Sequence, residues 1–286
     1  MDFMIVCDTP LRLAVLDVDG TLADPENRIR PDVARAVNAL LQRDVLVMLA
    51  TGRTISELQP VFGPCPGLTH LAYSNGACLR GFGPALDSYA RTIPLEAAQA
   101  VYDRAMAADI MPEVYSRGQV YVAKSRWADR DHYNAAYLSQ TLPGSRTVIQ
   151  DLQLLWENPE TMVEKLNLFF HDPRQRAAFE ASLQGLGLGV SYTIQGGLEY
   201  NNPQATKVGA VSHLCRVLHI PAGQVAALGD SQTDIDLLRW AGVSVAMANG
   251  APEVQQAARF IAPPNSQSGA AWAIENLLLP RCAAAK

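Results

Sequence analysis

Residues 11–21 read Leu-Arg-Leu-Ala-Val-Leu-Asp-Val-Asp-Gly-Thr. The first six form a near-continuous apolar run, and the run stops abruptly at Asp17. A strand buried on both faces of a parallel sheet has this composition, because helices cover it above and below. The residues that follow continue the rhythm of such a sheet. Pro31–Arg43 places Val33, Ala36, Val37, Leu40 and Leu41 on one helical stripe, with Pro31 suited to the first turn. VLVMLA at 45–50 is a second buried strand ending at Thr51, and Thr54 with Glu57 forms a capping box that predicts a helix start. LAY at 71–73 is a third strand. Strand, helix, strand, helix, strand is the βαβ pattern of a parallel sheet.

The middle of the chain breaks that pattern. Pro94–Ala108 is helical, and MPEVYS (111–116) with QVYVAK (119–124) makes a hairpin around Arg117-Gly118. Trp127–Leu138 is a helix candidate. EKLNLFF (164–170) and GLGVSYTI (187–194) alternate like strands covered on one face, with a helix near Pro173–Leu183 between them. The parallel rhythm returns at Ala205. Val208, Val211, Leu214, Cys215 and Leu218 make a helical stripe, and QVAAL (224–228) is a strand ending at Gly229-Asp230. A helix at Asp234–Trp240, VSVAM (243–247), a helix at Pro252–Ala258, RFIA (259–262) and a helix at Gly269–Leu279 complete it. The expected fold is α/β: a doubly wound parallel-sheet core of residues 1–80 plus 200–286, with an α+β domain of 81–199 inserted into it.

Length and composition agree with two domains. The chain has 286 residues, 49% of them hydrophobic and 18% charged, ample for a buried core and unlike a disordered chain. The formal net charge of −5, without any Lys/Arg run, speaks against a nucleic-acid or anionic-membrane partner. The longest purely apolar run, Val45–Ala50, is too short for a membrane span, and the N-terminus MDFMIVCDTP lacks the basic and apolar regions of a secretory signal. Cys7, Cys65, Cys78, Cys215 and Cys282 are scattered and form no C-x-x-C pair, which fits reduced thiols in a cytoplasmic protein. The five histidines show no pair at metal-ligand spacing.

Four polar clusters fall at the ends of core elements: Asp17-Val18-Asp19-Gly20-Thr21, Thr51-Gly52-Arg53, Lys207, and Gly229-Asp230 through Asp234. Singly, each also reads as a turn, a helix cap, a solvated lysine or helix N-terminal acids. Ligands of open parallel sheets bind outside the carboxyl ends of the strands, so the four can converge on one crevice. Together they have the chemistry of phosphoryl transfer. Asp17 and Asp230 are oxygen ligands of the kind Mg²⁺ takes, and a carboxylate beside a phosphate can attack phosphorus. Asp19 can protonate the leaving oxygen and then activate water. The Thr51 hydroxyl and the Lys207 ammonium can hold phosphoryl oxygens, while Gly20 and Gly52 let backbone N–H groups approach them.

Charge counting tests this arrangement. Four carboxylates, Asp17, Asp19, Asp230 and Asp234, outweigh Mg²⁺ plus Lys207. The excess is relieved if Asp19 stays protonated as a general acid, or if Arg53 or a cation of the inserted domain contributes.

LDVDGTL, LATGR, the lone Lys207 and LGDSQTDIDLL together resemble the four motifs of the haloacid dehalogenase-like hydrolase superfamily. The insertion between the second motif and the lysine resembles a type II cap. Ser74-Asn75-Gly76-Ala77 and the ending AMANGAPEVQQAARFIAPPNSQSGAAWAIENLL resemble the Cof-type, type IIB branch. The resemblance implies a phosphatase hydrolysing a small phosphorylated metabolite, such as a sugar phosphate, through an aspartyl phosphate. It implies Asp17 as nucleophile and Asp19 as acid/base. It also implies Mg²⁺ on Asp17, the Asp19 carbonyl and Asp230, phosphate on Thr51, Gly52 and Lys207, and Asp234 and Thr233 behind them. Arg53 and Asn75 are possible substrate contacts. The protein is expected to be cytoplasmic, a monomer or small homo-oligomer.

Three departures stand out. Thr233 occupies a position where Asn is common, LEYNNPQATK lacks the glycine often found before the lysine, and the lead before Asp17 is slightly longer than usual. Asp19 disfavours carbon–halogen cleavage, whose leaving group needs no acid. A phosphomutase, or a non-catalytic phosphate-binding regulatory module, is the alternative. Tyr115, Tyr121, Lys124, Arg126 and Trp127 cluster around the predicted hairpin, as substrate contacts or as a solvated strand edge.

Overall fold

The computed structural model describes residues 10–193 and 196–283. The N-terminal lead with Cys7, the last residue of the 187–194 strand and the AAAK tail beyond Ala283 lie outside the described residues. The chain forms two compact units. Of the described residues, 10–52, 59–88 and 206–283 make up the first, and 53–58, 89–193 and 196–205 the second.

Strands β1 (Leu13–Leu16), β2 (Leu46–Ala50), β3 (His70–Tyr73) and β4 (Cys78–Arg80) come first in the chain. The second unit holds β5 (Met111–Ser116), β6 (Gln119–Ala123), β7 (Arg146–Ile149), β8 (Val163–Phe169), β9 (Gly189–Tyr192) and β10 (Leu198–Asn201). The chain then returns to the first unit with β11 (Val225–Gly229), β12 (Val243–Met247) and β13 (Phe260–Ala262).

In the first unit seven strands lie in the order β13-β12-β11-β1-β2-β3-β4, all parallel except β4. Every residue of β1, β11 and β12 is buried, as an apolar run enclosed on both faces requires. The chain leaves β1 towards β2 and β3 on one side and returns through β11 to β12 and β13 on the other. The boundary between β1 and β11 is therefore the topological switch point, where such sheets open a crevice at their carboxyl ends. The helix at Pro31–Leu41 buries Val33, Ala36, Val37 and Leu40, with Leu41 half-buried at the stripe's edge.

The second unit is a six-stranded sheet in the order β7-β6-β5-β8-β10-β9, antiparallel apart from the β6–β7 pair. Val114, Leu166, Leu168, Leu198 and Tyr200 point to one face and share a core with Ala98, Val101 and Ala105 of the helix Leu95–Ala107. Arg117 and Gly118 both take positive φ, which closes the β5–β6 hairpin as its two-residue turn demands.

Several local expectations differ from the structure. Trp127–Leu138 is not one helix. Short helices at Lys124–Ala128 and Leu138–Thr141 flank a run of turns in which Asn134 has positive φ. Strands β4, β7 and β10 are absent from the sequence reading. Three or four residues carry too little periodicity to signal themselves, and these strands exist through pairing. The capping box at Thr54 and Glu57 is present, but it opens a short 3₁₀ turn, Ile55–Glu57. Residues 53–58, read from sequence as part of the parallel core, pack with the second unit: Ser56 N donates to the Gly118 carbonyl at 2.9 Å, and Thr54 Oγ1 to Glu164 at 3.1 Å. No helix among the described residues is long and apolar enough to cross a membrane, and Cys65, Cys215 and Cys282 are free thiols.

Candidate active site

Asp17 directly follows β1 and Asp230 directly follows β11, so neighbouring strands deliver two carboxylates to the switch point. Asp17 N donates to the Leu228 carbonyl at 3.1 Å, extending the pairing one residue beyond the strands. The chain then turns sharply. Gly20 has φ +73°, and a Cβ there would lie 2.0 Å from Asp230 Oδ2. Glycine is thus required twice, by the backbone conformation and by the carboxylate against it.

Lys207 opens the helix Lys207–Val217, whose first turn is capped by Thr206 Oγ1 accepting from Gly209 N at 3.0 Å. The helix buries Lys207, Ala210, Val211, Leu214 and Cys215. This is an i, i+3, i+4, i+7 stripe with the lysine as its first member, which is why an ammonium lies only 2% exposed. Lys207 Nζ donates to Asp17 Oδ1 and to Asp234 Oδ1, both at 2.7 Å. The other Asp234 oxygen accepts from Ser231 N at 3.0 Å, Ser231 Oγ at 2.7 Å and Asp230 N at 3.2 Å. Asp234 is therefore held from both ends.

Carboxylate oxygens of Asp17, Asp230 and Asp234 lie within 4.8 Å of one another. Crowding and burial have the expected electrostatic effect. Burial pushes the Asp17 carboxyl well above the usual carboxylate range, opposed by Lys207 and reinforced by Asp234 and Asp230. Burial pushes Asp230 up to about 6, against the Thr21 hydrogen bond that lowers it and with Asp234 adding to it. Burial alone would lower the Lys207 ammonium, but Asp17 and Asp234 carry it above its ordinary value.

Two residues join this cluster that sequence reasoning left without a role. Thr21 Oγ1 donates to Asp230 Oδ1 at 3.0 Å. Asn249 Nδ2 donates to Asp230 Oδ2 at 3.2 Å and to the Gly20 carbonyl at 2.9 Å, tying the two loops together. Asn249 was detectable: it lies just past β12, the next strand in the sheet, where the same strand-end rule applies.

The remaining predicted residues fall as follows. Asp19 is exposed on the loop after β1. Thr51 is fully buried past β2; its N–H donates to the Ala72 carbonyl and its carbonyl accepts from Asn75 N, both at 2.9 Å. Asn75 is itself buried, with positive φ, and its side chain lies against Gly52, where a Cβ would sit 2.9 Å from Asn75 Oδ1. Thr233 is exposed and its hydroxyl pairs with Ser231 Oγ at 2.8 Å, so it reaches Asp234 only through the serine. Arg53 is buried in the second unit, donating to the Glu57 carbonyl at 3.1 Å.

The second unit carries its own buried polar set, on the sheet face opposite the helix Leu95–Ala107. Arg146 of β7 pairs with Glu113 of β5 at 2.9 Å and with Glu57 at 3.0 Å. Lys165 pairs with Glu199 at 2.6 Å and lies 4.4 Å over the Tyr115 ring. Tyr115 and Tyr121 do not share a surface. Tyr121 pairs across from Val114, the neighbour of Tyr115, so strand alternation sends the two rings to opposite faces. Arg126 is engaged by Asp109 and Tyr133, and Trp127 is half-buried beneath Arg130. The five residues therefore form no single patch.

The haloacid dehalogenase-like hydrolase profile matches residues 14–274 of the chain. Among curated relatives, the Bacillus subtilis phosphatase YwpJ is 23% identical over 286 aligned residues, covering 94% of this chain and all of YwpJ (100%). The 5-amino-6-(5-phospho-D-ribitylamino)uracil phosphatase YwtE of Bacillus subtilis is 22% identical, covering 94% of this chain and 98% of its own. A solved haloacid dehalogenase-like hydrolase from Bacteroides thetaiotaomicron superposes with a TM-score of 0.80 at 20% identity, covering 93% of this chain and 99% of that one.

Proposed function

The chain belongs to the haloacid dehalogenase-like hydrolase family, and from that premise we propose that it is a Mg²⁺-dependent phosphatase of small phosphorylated metabolites, such as sugar phosphates, working through an aspartyl phosphate. The observation that carries the reading is the pairing of buried Lys207 with both Asp17 and Asp234 at the switch point, beside Asp230.

A divalent cation fits the donor set. Three carboxylates share one ammonium, so the cluster carries excess negative charge, and burial further raises the proton affinity of Asp17 and Asp230. Asp234 spends one oxygen on Lys207 and the other on the 230–231 loop. Asp17, Asp230 and the Asp19 carbonyl are then the groups that would hold Mg²⁺. When bound, the ion would neutralise phosphoryl charge and orient the phosphate.

The protein's own residues supply the rest. A carboxylate oxygen of Asp17 attacks phosphorus, and the bond from phosphorus to the ester oxygen breaks. Asp19 donates its proton to that leaving oxygen. Asp19, now a carboxylate, takes a proton from water, whose oxygen attacks phosphorus and breaks the bond to Asp17, freeing inorganic phosphate. The exposure of Asp19 suits it to exchange protons with solvent. Lys207, the Thr51 hydroxyl and the Gly52 backbone would stabilise the phosphoryl oxygens as charge spreads over them. Lys207 also lies in the first turn of its helix, where the macrodipole favours an anion. Thr21, Asn249 and Thr233 act on position, the first two through Asp230 and the third through Ser231. Substrate choice is assigned to the inserted second unit.

Phosphate release from a panel of phosphorylated metabolites, with and without Mg²⁺ and with Asp17→Asn as blank, tests the proposal. Turnover that needs Mg²⁺ and falls by about a thousandfold or more in Asp17→Asn supports it. No turnover across the panel, or an undiminished variant, overturns it. Asp19→Asn is expected to keep Mg²⁺ binding and lose most turnover; unchanged turnover would remove the acid/base role.

A further inference from the structure

The five histidines show no ligand pair in sequence, yet the fold of the second unit brings two of them together. His132 lies in the turns between the helices Lys124–Ala128 and Leu138–Thr141, and His171 lies just past β8. Their rings are 4.7 Å apart and nearly parallel, at 13°. Asp109, on the positive-φ turn after the helix Leu95–Ala107, completes the group. One ligand atom from each of the three lies within 4.8 Å of the others. We propose that Asp109, His132 and His171 form a metal site in the second unit, separate from the strand-end carboxylates, that takes a divalent cation of the Zn²⁺ type.

Three observations carry this beyond proximity. The first is orientation. Asp109 Oδ1 accepts from the Tyr133 hydroxyl at 2.8 Å and pairs with Arg126, while Oδ2 turns to His132 Nε2 at 3.5 Å. One oxygen is fixed by neighbours and the other faces the histidines, the arrangement by which outer partners hold a ligating carboxylate. The second is an unmet group. His171 Nδ1 is buried and has no hydrogen-bond partner in the protein. Buried polar atoms are normally satisfied, and a ring nitrogen is equally a metal ligand. The third is adaptability. His132 is 43% exposed, so its ring can rotate from the stacked geometry to converge with His171 without disturbing a core.

The donor set selects the ion. Two imidazoles and one carboxylate are borderline ligands suited to Zn²⁺, Co²⁺ or Ni²⁺, with water completing the shell. Mg²⁺ prefers oxygen alone and retains its waters. Arg126 offsets the Asp109 charge, so binding is expected to be moderate rather than extreme. The site would tie three turns of the second unit together: after the helix Leu95–Ala107, after β8, and between the short helices. This assignment does not depend on the phosphatase reading.

The test uses the full chain carrying Asp230→Asn, which disables the strand-end cluster. Zn²⁺ titration calorimetry, the visible spectrum of bound Co²⁺ and the Zn²⁺-induced rise in Tm are measured. The expected result is one saturable Zn²⁺ site that excess Mg²⁺ does not displace. Affinity is expected to fall by at least about tenfold in His132→Gln and in His171→Gln added to that background, with the Tm rise lost. Because His132 is exposed, His132→Gln decides the matter if His171→Gln does not fold. No saturable Zn²⁺ binding, or binding unchanged in His132→Gln, overturns the proposal.

Discussion

Strands β1, β2, β11 and β12 of the seven-stranded sheet carry no ionisable side chain, and their charged groups gather just beyond the carboxyl ends, at Asp17 and Asp230. In the six-stranded sheet the charges lie on the strands themselves: Glu113 on β5, Arg146 on β7, Lys165 on β8 and Glu199 on β10. The first sheet is enclosed on both faces, so a charge within it would have no partner. The second has one face apolar through residues such as Val114 and Leu166, and alternation sends Glu113, Lys165 and Glu199 to the other, beside a smaller apolar cluster of Met111, Val122 and Phe169. The two sets also balance differently. Arg146 meets Glu57 and Glu113, and Lys165 meets Glu199, so two cations face three carboxylates in well-formed pairs. At the strand ends, among the described residues, Lys207 is the one cation paired with the crowded carboxylates, meeting Asp17 and Asp234 beside Asp230. The difference teaches where a cation is wanted: the strand-end set is left acidic, and the sheet-face set is largely neutralised from within.

Removing the central cation from each set should separate them most clearly. Lys207→Met and Arg146→Met each strand two buried carboxylates, and each is expected to lose about 3–5 kcal/mol of stability in chemical denaturation. Mg²⁺ should recover part of the loss in Lys207→Met and none in Arg146→Met. An equal response of the two variants to Mg²⁺ would break the comparison.

The pH dependence is the next largest effect. Asp230 is held up to about 6 by burial, above the value of about 3.9 of an unfolded aspartate. A raised carboxyl stabilises the fold fully below its unfolded pKa, and that contribution is lost as pH rises through the folded value. Metal-free protein should therefore lose on the order of 2–3 kcal/mol from this group between pH 4 and 7. Asp230→Asn should flatten that slope, and Mg²⁺ should oppose it at pH 7. Urea denaturation across this range, with EDTA and with Mg²⁺, measures both.

Asn249→Ala is expected to have the smallest effect. It removes two hydrogen bonds, to Asp230 Oδ2 and the Gly20 carbonyl, and should cost about 1–2 kcal/mol in stability. If Asn249 serves by positioning Asp230, the Mg²⁺ concentration for half-maximal activity should rise while activity at saturating Mg²⁺ changes little. A drop confined to saturating activity would argue against that role.

Much of the parallel core could be read from sequence because its signals are local. The apolar run Leu13–Leu16 is buried on both faces, and Val33, Ala36, Val37 and Leu40 can share a face only in a helix. Four of the candidate site residues, Asp17, Lys207, Asp230 and Asp234, are brought together in the structure. The second unit was harder to read. Its short strand β7 exists by pairing with β6, and residues 53–58 join it through contacts with Gly118 and Glu164 that no local pattern encodes.

What the sequence by itself determined is the class of fold and the family. Apolar periodicity and motif composition are properties of neighbouring residues, and they survive without coordinates. Tertiary structure decided which residues meet. It placed Lys207 at the head of a buried stripe between Asp17 and Asp234, and set Gly20 against Asp230. It sent Tyr115 and Tyr121 to opposite faces and stacked His132 on His171. The physical reason is the same in each case: a hydrogen bond, an ion pair or a metal site depends on distances of a few ångströms between residues remote in sequence, and only the packing of the chain sets those distances.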